Sequence, residues 1–201
     1  SKAIRENLIP EIRQHEFQGL FGVAVAEINP PAGMYSRTWG YSEHDIADGI
    51  HRPLRASCLA ISDLSEKVNL TLLAFDLMVW LSREDEEGIR LPLEEEFNLA
   101  PGTLITHLSH SHGAPFTDPM LANASGGHLI KDYRKQILKT CRQLLSEAFE
   151  NKRVCVLSWG IGSCGLAFNR DLTLPETGNP VVGINPSTAA DDTLIVGRIT
   201  E

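Results

Sequence analysis

Apolar and polar positions along the chain switch between a period near 3.6 and a period of 2, and the switches mark out the elements. Residues 3–17 carry Ile4, Leu8, Ile9 and Ile12 at helical spacing around Pro10, which predicts a short or kinked helix. From Leu20 the pattern becomes a β-type run to Ile28, stopped by Asn29-Pro30-Pro31-Ala32-Gly33. Two further β-type runs, residues 54–62 and 68–76, flank Asp63-Leu64-Ser65-Glu66-Lys67 and read as a hairpin. Ser82 is placed to cap a helix opening on Arg83-Glu84-Asp85-Glu86, where carboxylates suit the positive helix end, and Pro92 predicts a kink or a new start. Residues 102–108 predict a buried strand. The clearest amphipathic helix follows Leu129, with Ile130, Tyr133, Ile137, Leu138, Cys141, Leu144, Leu145, Ala148 and Phe149 on one face, as for a helix lying across a sheet. Residues 154–160 form another β-type run that leads into a glycine-rich turn, Gly162-Ser163-Cys164-Gly165. A Pro- and Asn-rich loop then extends to Asp192, before a last strand-like run over residues 193–199.

Strands alternate with helices, yet hairpins also occur. The expected fold is therefore a layered α/β domain with a mixed β-sheet flanked by helices. Residues 1–201 are expected to form a single domain, without internal repeats. Residues 34–51 are polar, glycine-punctuated and rich in special side chains (Tyr35, Trp39, Tyr41, His44, Asp45, His51). Such a stretch is either a functional loop or an ordered surface loop with packed aromatics.

Composition narrows the functional classes. A hydrophobic content of 42% suits a packed globular chain, and a net charge of −8 with acidic runs at Glu84-Asp85-Glu86-Glu87 and Glu94-Glu95-Glu96 argues against a nucleic-acid partner. No apolar run approaches the length of a membrane span, and the first residues lack the apolar core of a secretory signal, so the visible chain is expected to be soluble and its compartment is left open. Cys58, Cys141, Cys155 and Cys164 lack CxxC spacing and are expected to be free thiols.

The candidate chemistry lies in the histidines at 107, 110 and 112, directly after a predicted strand. On an extended backbone His110 and His112 would share a face and His107 would take the other. Imidazole suits zinc, but a catalytic zinc wants three or more protein ligands and an open position. From spacing alone the pair is a metal site, a solvent-facing or hydrogen-bonded pair, or a general base.

Thr106-His107-Leu108-Ser109-His110-Ser111-His112-Gly113-Ala114-Pro115 resembles the Thr-His-Thr-His-Ser-Gly-Pro segment of the neutral/alkaline, non-lysosomal ceramidase family. Other matches follow in the family's order. The run from Phe21 to Gly33 resembles its opening strand and Pro/Gly loop, and Trp39-Gly40-Tyr41 its Gly-Tyr turn. Gly49-Ile50-His51 with Leu54-Arg55-Ala56, Ala74-Phe75-Asp76-Leu77 and Asn169-Arg170 resemble later segments.

The resemblance implies zinc-dependent hydrolysis of an N-acyl amide, as in ceramide to fatty acid plus sphingosine, with a small-molecule or lipid amide as substrate. It implies His110 as a zinc ligand, with His112 and Arg170 at the scissile carbonyl or its tetrahedral intermediate. Asp76 would act from behind a ligand or cap a helix, and Gly40, His51 and Asn169 would line the cleft. Gly113-Ala114 replaces the family's Ser-Gly, and Asp171 replaces the Ser after Asn-Arg, which bears on the substrate more than on the metal. The family's remaining zinc ligands fall downstream of residue 201. The chain is thus expected to be the N-terminal portion of a larger catalytic domain, inactive and weakly zinc-binding by itself. Two rival readings are a non-catalytic lipid- or sugar-binding relative and a thiol hydrolase built on Cys164.

Overall fold

The structure, a computed structural model, describes residues 15–40, 42–67 and 69–201. They group into two compact units, one of residues 19–154 and one of residues 15–18 with 155–201.

The larger unit is built on β1 (His15–Glu27), β2 (Arg55–Ser62), β3 (Asn69–Phe75) and β4 (Leu104–Leu108), with helices α1 (Arg83–Glu96) and α2 (Ile130–Glu150). β1, β2 and β3 form an antiparallel meander, whereas β4 returns through α1 to pair parallel with β3. Within this unit the hydrogen-bonded strand order reads β4-β3-β2-β1. The expected mixed sheet with flanking helices is thus present.

Register explains which residues make the core. Ala24, Cys58, Leu73 and Thr106 stand opposite one another on one face, and Val23, Leu59, Leu72 and Ile105 form the adjacent row on the other. The first face meets α2, which buries Ile130, Tyr133, Ile137, Cys141, Leu144, Leu145 and Ala148. Each such large side chain contributes about 1.5–3 kcal/mol by leaving water. Strands β1 and β2 present Gly22, Ala24, Ala56, Cys58 and Ala60 to this layer, and their small size lets the helix lie close. At Gly22 a Cβ would sit 1.8 Å from the carbonyl oxygen of Ala148. The second face stays partly open, with Val23 56% and Ile105 45% exposed.

Polar ties complete the unit. Ser82 caps α1 by accepting from the Asp85 N–H at 3.0 Å, and its hydroxyl donates to Asp118 at 2.7 Å. Asp85 is fully buried, accepting from the Thr117 hydroxyl at 2.9 Å and from the Arg134 guanidinium. Burial pushes its carboxyl upward, against the opposing pull of Thr117 and Arg134. The start of α1, the segment at 117–118 and α2 are thereby fastened to one another.

Four expectations are corrected. Residues 15–17 belong to β1 rather than a helix, while the rest of the expected helix over 3–17 lies outside the described residues. The new start expected as one option at Pro92 does not occur, since α1 is assigned continuously through it, and the carbonyl deprived of its partner is that of Gly88, at an exposed position. The strand expected to be buried over 102–108 is the edge strand β4, with only β3 beside it among the described residues and an alternating burial pattern. The loop expected up to Asp192 holds a small hairpin instead.

That hairpin belongs to the smaller unit and pairs β6 (Asp171–Thr173) with β7 (Pro180–Val182). In the same unit β5 (Arg153–Ser163) pairs antiparallel with β8 (Thr193–Thr200). Gly160 and Gly162 lie inside β5, and the turn comes only at residues 165–166, after Cys164, whose N–H donates to the Asp192 carbonyl at 2.7 Å.

Candidate active site

The histidine segment begins where β4 ends and extends the parallel pairing by two bonds. The Ser109 N–H donates to the Phe75 carbonyl at 3.0 Å and the Ser111 N–H to the Leu77 carbonyl at 3.1 Å. Between those anchors His110 takes a left-handed backbone conformation, φ +58°. A residue with a Cβ pays an energetic penalty there, typically of order 1–3 kcal/mol, and such penalties concentrate at functional positions. The extended-backbone parity argument therefore fails at His110. The two imidazoles nonetheless meet, edge to face, with ring centroids 4.9 Å apart. The left-handed turn, not strand alternation, brings them together, while His107 stays on β4 and is exposed.

Each ring is aimed by a backbone carbonyl. His110 Nδ1 lies 3.0 Å from the Met78 oxygen, and His112 Nδ1 lies 3.3 Å from the Thr38 oxygen. A carbonyl oxygen only accepts, so each Nδ1 is the donor in its bond. Thr38, itself buried, also donates its hydroxyl to the His112 carbonyl at 2.7 Å. Trp39 adds a ring contact to His112 at 4.7 Å between centroids. The polar loop of residues 34–51 therefore supplies the wall of the site. It is internally ordered through the Tyr35–Ile46 bridge and the Ser36 N–H to Asp45 carbonyl bond of 2.8 Å.

Among the described residues the hydrogen bonds of Asp76 go to neither imidazole and to no helix N-terminus. Its carboxylate accepts from the Arg55 N–H at 2.9 Å and from the Ser109 hydroxyl at 3.1 Å, so it fixes the residue before His110. Gly40 and His51 are exposed in the 34–51 loop. Asn169 and Arg170 lie in the smaller unit at the entry to β6. There the Asn169 side chain accepts from the Asp171 N–H at 3.0 Å and the Arg170 carbonyl accepts from the Gly183 N–H at 2.8 Å. The Arg170 guanidinium is exposed and holds no ion pair among the described residues.

As a metal site the pair fits in kind but not in number. Imidazole nitrogens are good zinc donors, yet no three His, Cys, Asp or Glu side chains converge among the described residues. Cys164, the nucleophile of the thiol reading, is half-buried, and the other three cysteines are buried; all four are free. Thr38 and Met78 were invisible to sequence reasoning because each acts on a ring through a main-chain oxygen.

A layered α/β unit with a histidine pair at the end of an edge strand is the class that fold and site define. Two solved structures share its fold. One, described as a ceramidase complexed with C2, has a TM-score of 0.66 at 17% identity, covering 91% of this chain and 29% of that one. The other, neutral ceramidase from Pseudomonas aeruginosa, has a TM-score of 0.60 at 16% identity with the same coverages of 91% and 29%. The chain thus spans under a third of the length of those ceramidases. Comparison with models of protein families and with curated proteins gives no match.

Proposed function

We propose that this chain carries part of the active site of a zinc-dependent hydrolase of N-acyl amides, ceramidase-like in its substrate class. The observation that supports this reading most directly is the pair of carbonyl-oriented imidazoles reached through a left-handed turn at His110. In the proposal His110 Nε2 is a zinc ligand, held by the Met78 carbonyl, which fixes tautomer and ring orientation. His112, with Nδ1 donating to the Thr38 carbonyl, would accept a proton at Nε2 and, once protonated there, donate it to the oxygen of the tetrahedral intermediate. Arg170 would add a fixed positive charge for the developing oxyanion. When bound, zinc would make hydroxide available near neutral pH. Its other ligands would come from residues other than these 201, so the chain by itself would bind zinc weakly and turn over no substrate.

The test is hydrolysis of a fluorescent N-dodecanoyl sphingosine by the complete gene product, with zinc content measured in parallel. Activity lost on chelation, restored by zinc and abolished with metal loss in His110→Ala is the expected result. Activity that survives exhaustive chelation, or zinc content unchanged in His110→Ala, would sink the proposal.

A further inference from the structure

A separate cavity of about 500 Å³ lies between α1 and α2, bounded by the two short turns at Pro119–Asn123 and Gly127–Leu129. That volume is within the range of pockets that take small molecules, about 300–1,000 Å³. Its walls are Ile89, Ile130, Leu138, Pro119 and Ala122, and Gly88 and Gly127 contribute no side chain. Every charged or titratable side chain on the lining belongs to a basic residue: His128, Lys131, Arg134 and Lys135. That is unusual in a chain with 26 acidic and 18 basic side chains.

The four basic groups are not equivalent. Arg134 is committed inward to Asp85 and to the Thr117 carbonyl at 3.2 Å. Lys135 shares its ammonium with the exposed Asp132 at 2.8 Å. His128 and Lys131 hold no salt bridge or side-chain hydrogen bond among the described residues, although Asp132 adjoins Lys131. Lys131, Arg134, Lys135 and Leu138 follow the i, i+3, i+4, i+7 spacing of one face of α2, which places the cations beside an apolar wall.

We propose that this cavity binds a fatty carboxylate, with the alkyl chain among the isoleucine and leucine walls and the carboxylate at Lys131 and His128. The inference uses no residue of the histidine site and stands whether or not the hydrolase reading holds. An apolar wall alone would take any alkyl group; the cationic mouth selects an anionic head.

The experiment displaces a fluorescent fatty-acid analogue from the 201-residue chain with octanoate, decanoate and dodecanoate below their micelle concentrations. One site per chain is expected, with affinity rising about fourfold per methylene while the wall is being filled. Decanol and dodecyltrimethylammonium should compete at least tenfold less well. Ala122→Trp, which fills the cavity from an exposed turn, should abolish binding, and Lys131→Glu should weaken it at least tenfold with an unchanged melting temperature. No binding, equal competition by the alcohol or the cation, affinity independent of chain length, or natively folded variants that bind as the parent does would each overturn the assignment.

Discussion

Thr38 and His112 hold each other twice across a sequence separation of 74 residues: the threonine hydroxyl donates to the histidine carbonyl, and the threonine carbonyl faces the imidazole Nδ1. The consequence is a fixed tautomer. Both His110 and His112 should carry their neutral-state proton on Nδ1, giving the nitrogen shifts of that form in long-range proton–nitrogen spectra. An Nε2–H form at either ring would refute the arrangement. Thr38→Val keeps the main-chain oxygen but removes the hydroxyl, leaving the His112 carbonyl without its donor. A loss of about 1–2 kcal/mol is expected in chemical denaturation.

Gly22 tests the close approach of α2 to the sheet. The Cβ of Gly22→Ala would fall 1.8 Å from a main-chain oxygen of Ala148, so helix or strand must move. Overpacking of this kind costs about 1–3 kcal/mol, and a rigid main-chain neighbour favours the upper end. Gly160→Ala, where nothing lies within 4 Å of the added atom, should change stability by less than about 0.5 kcal/mol. Equal denaturation midpoints for the two variants would contradict the packing described.

Much of this architecture was legible in the sequence because burial imposes periodicity. Ile130, Tyr133, Ile137, Cys141 and Leu144 repeat at helical spacing, and all are buried. The hairpin of β2 and β3 and the Ser82 cap were legible for the same kind of local reason. What was hidden depends on long-range or main-chain effects. The left-handed turn at His110 needs support from Phe75, Leu77 and Met78, none of which signals it locally. The hairpin of β6 and β7 has three-residue strands that are largely exposed, so no alternation of burial marks it. The resemblance drawn from short segments pointed to the fold that the two ceramidase structures share, but the roles of His110, His112 and Arg170 are matters for the zinc and turnover experiment.

Tyr133 ties α2 to the end of β1, because its hydroxyl donates to the buried Ile28 carbonyl. Tyr133→Phe keeps the ring and removes only that donor. Leaving a buried carbonyl unpaired costs about 1–3 kcal/mol, so the variant should unfold at correspondingly lower denaturant with an unchanged m-value. A difference below about 0.3 kcal/mol would mean that the bond is not made in solution.

Burial also sets the alkaline limit of stability. Cys58 and Cys141 are both pushed up to about 12 from an ordinary 9.0 by loss of water around the thiol. In the unfolded chain the thiols ionise near the ordinary value, so between 9.0 and about 12 the native state binds more protons than the unfolded one. The stabilisation from each group is therefore complete below the ordinary value and is lost as pH rises through the folded one, by about 1.4 kcal/mol per pH unit at most. Denaturation midpoints should fall steadily above pH 9.0, and the slope should flatten in a Cys58→Ala, Cys141→Ala double variant. At pH 8 a thiol reagent should modify half-buried Cys164 first and reach Cys58 and Cys141 only on unfolding. A common reaction rate for all four thiols, or stability that does not change through the alkaline range, would show that these side chains are not enclosed as described.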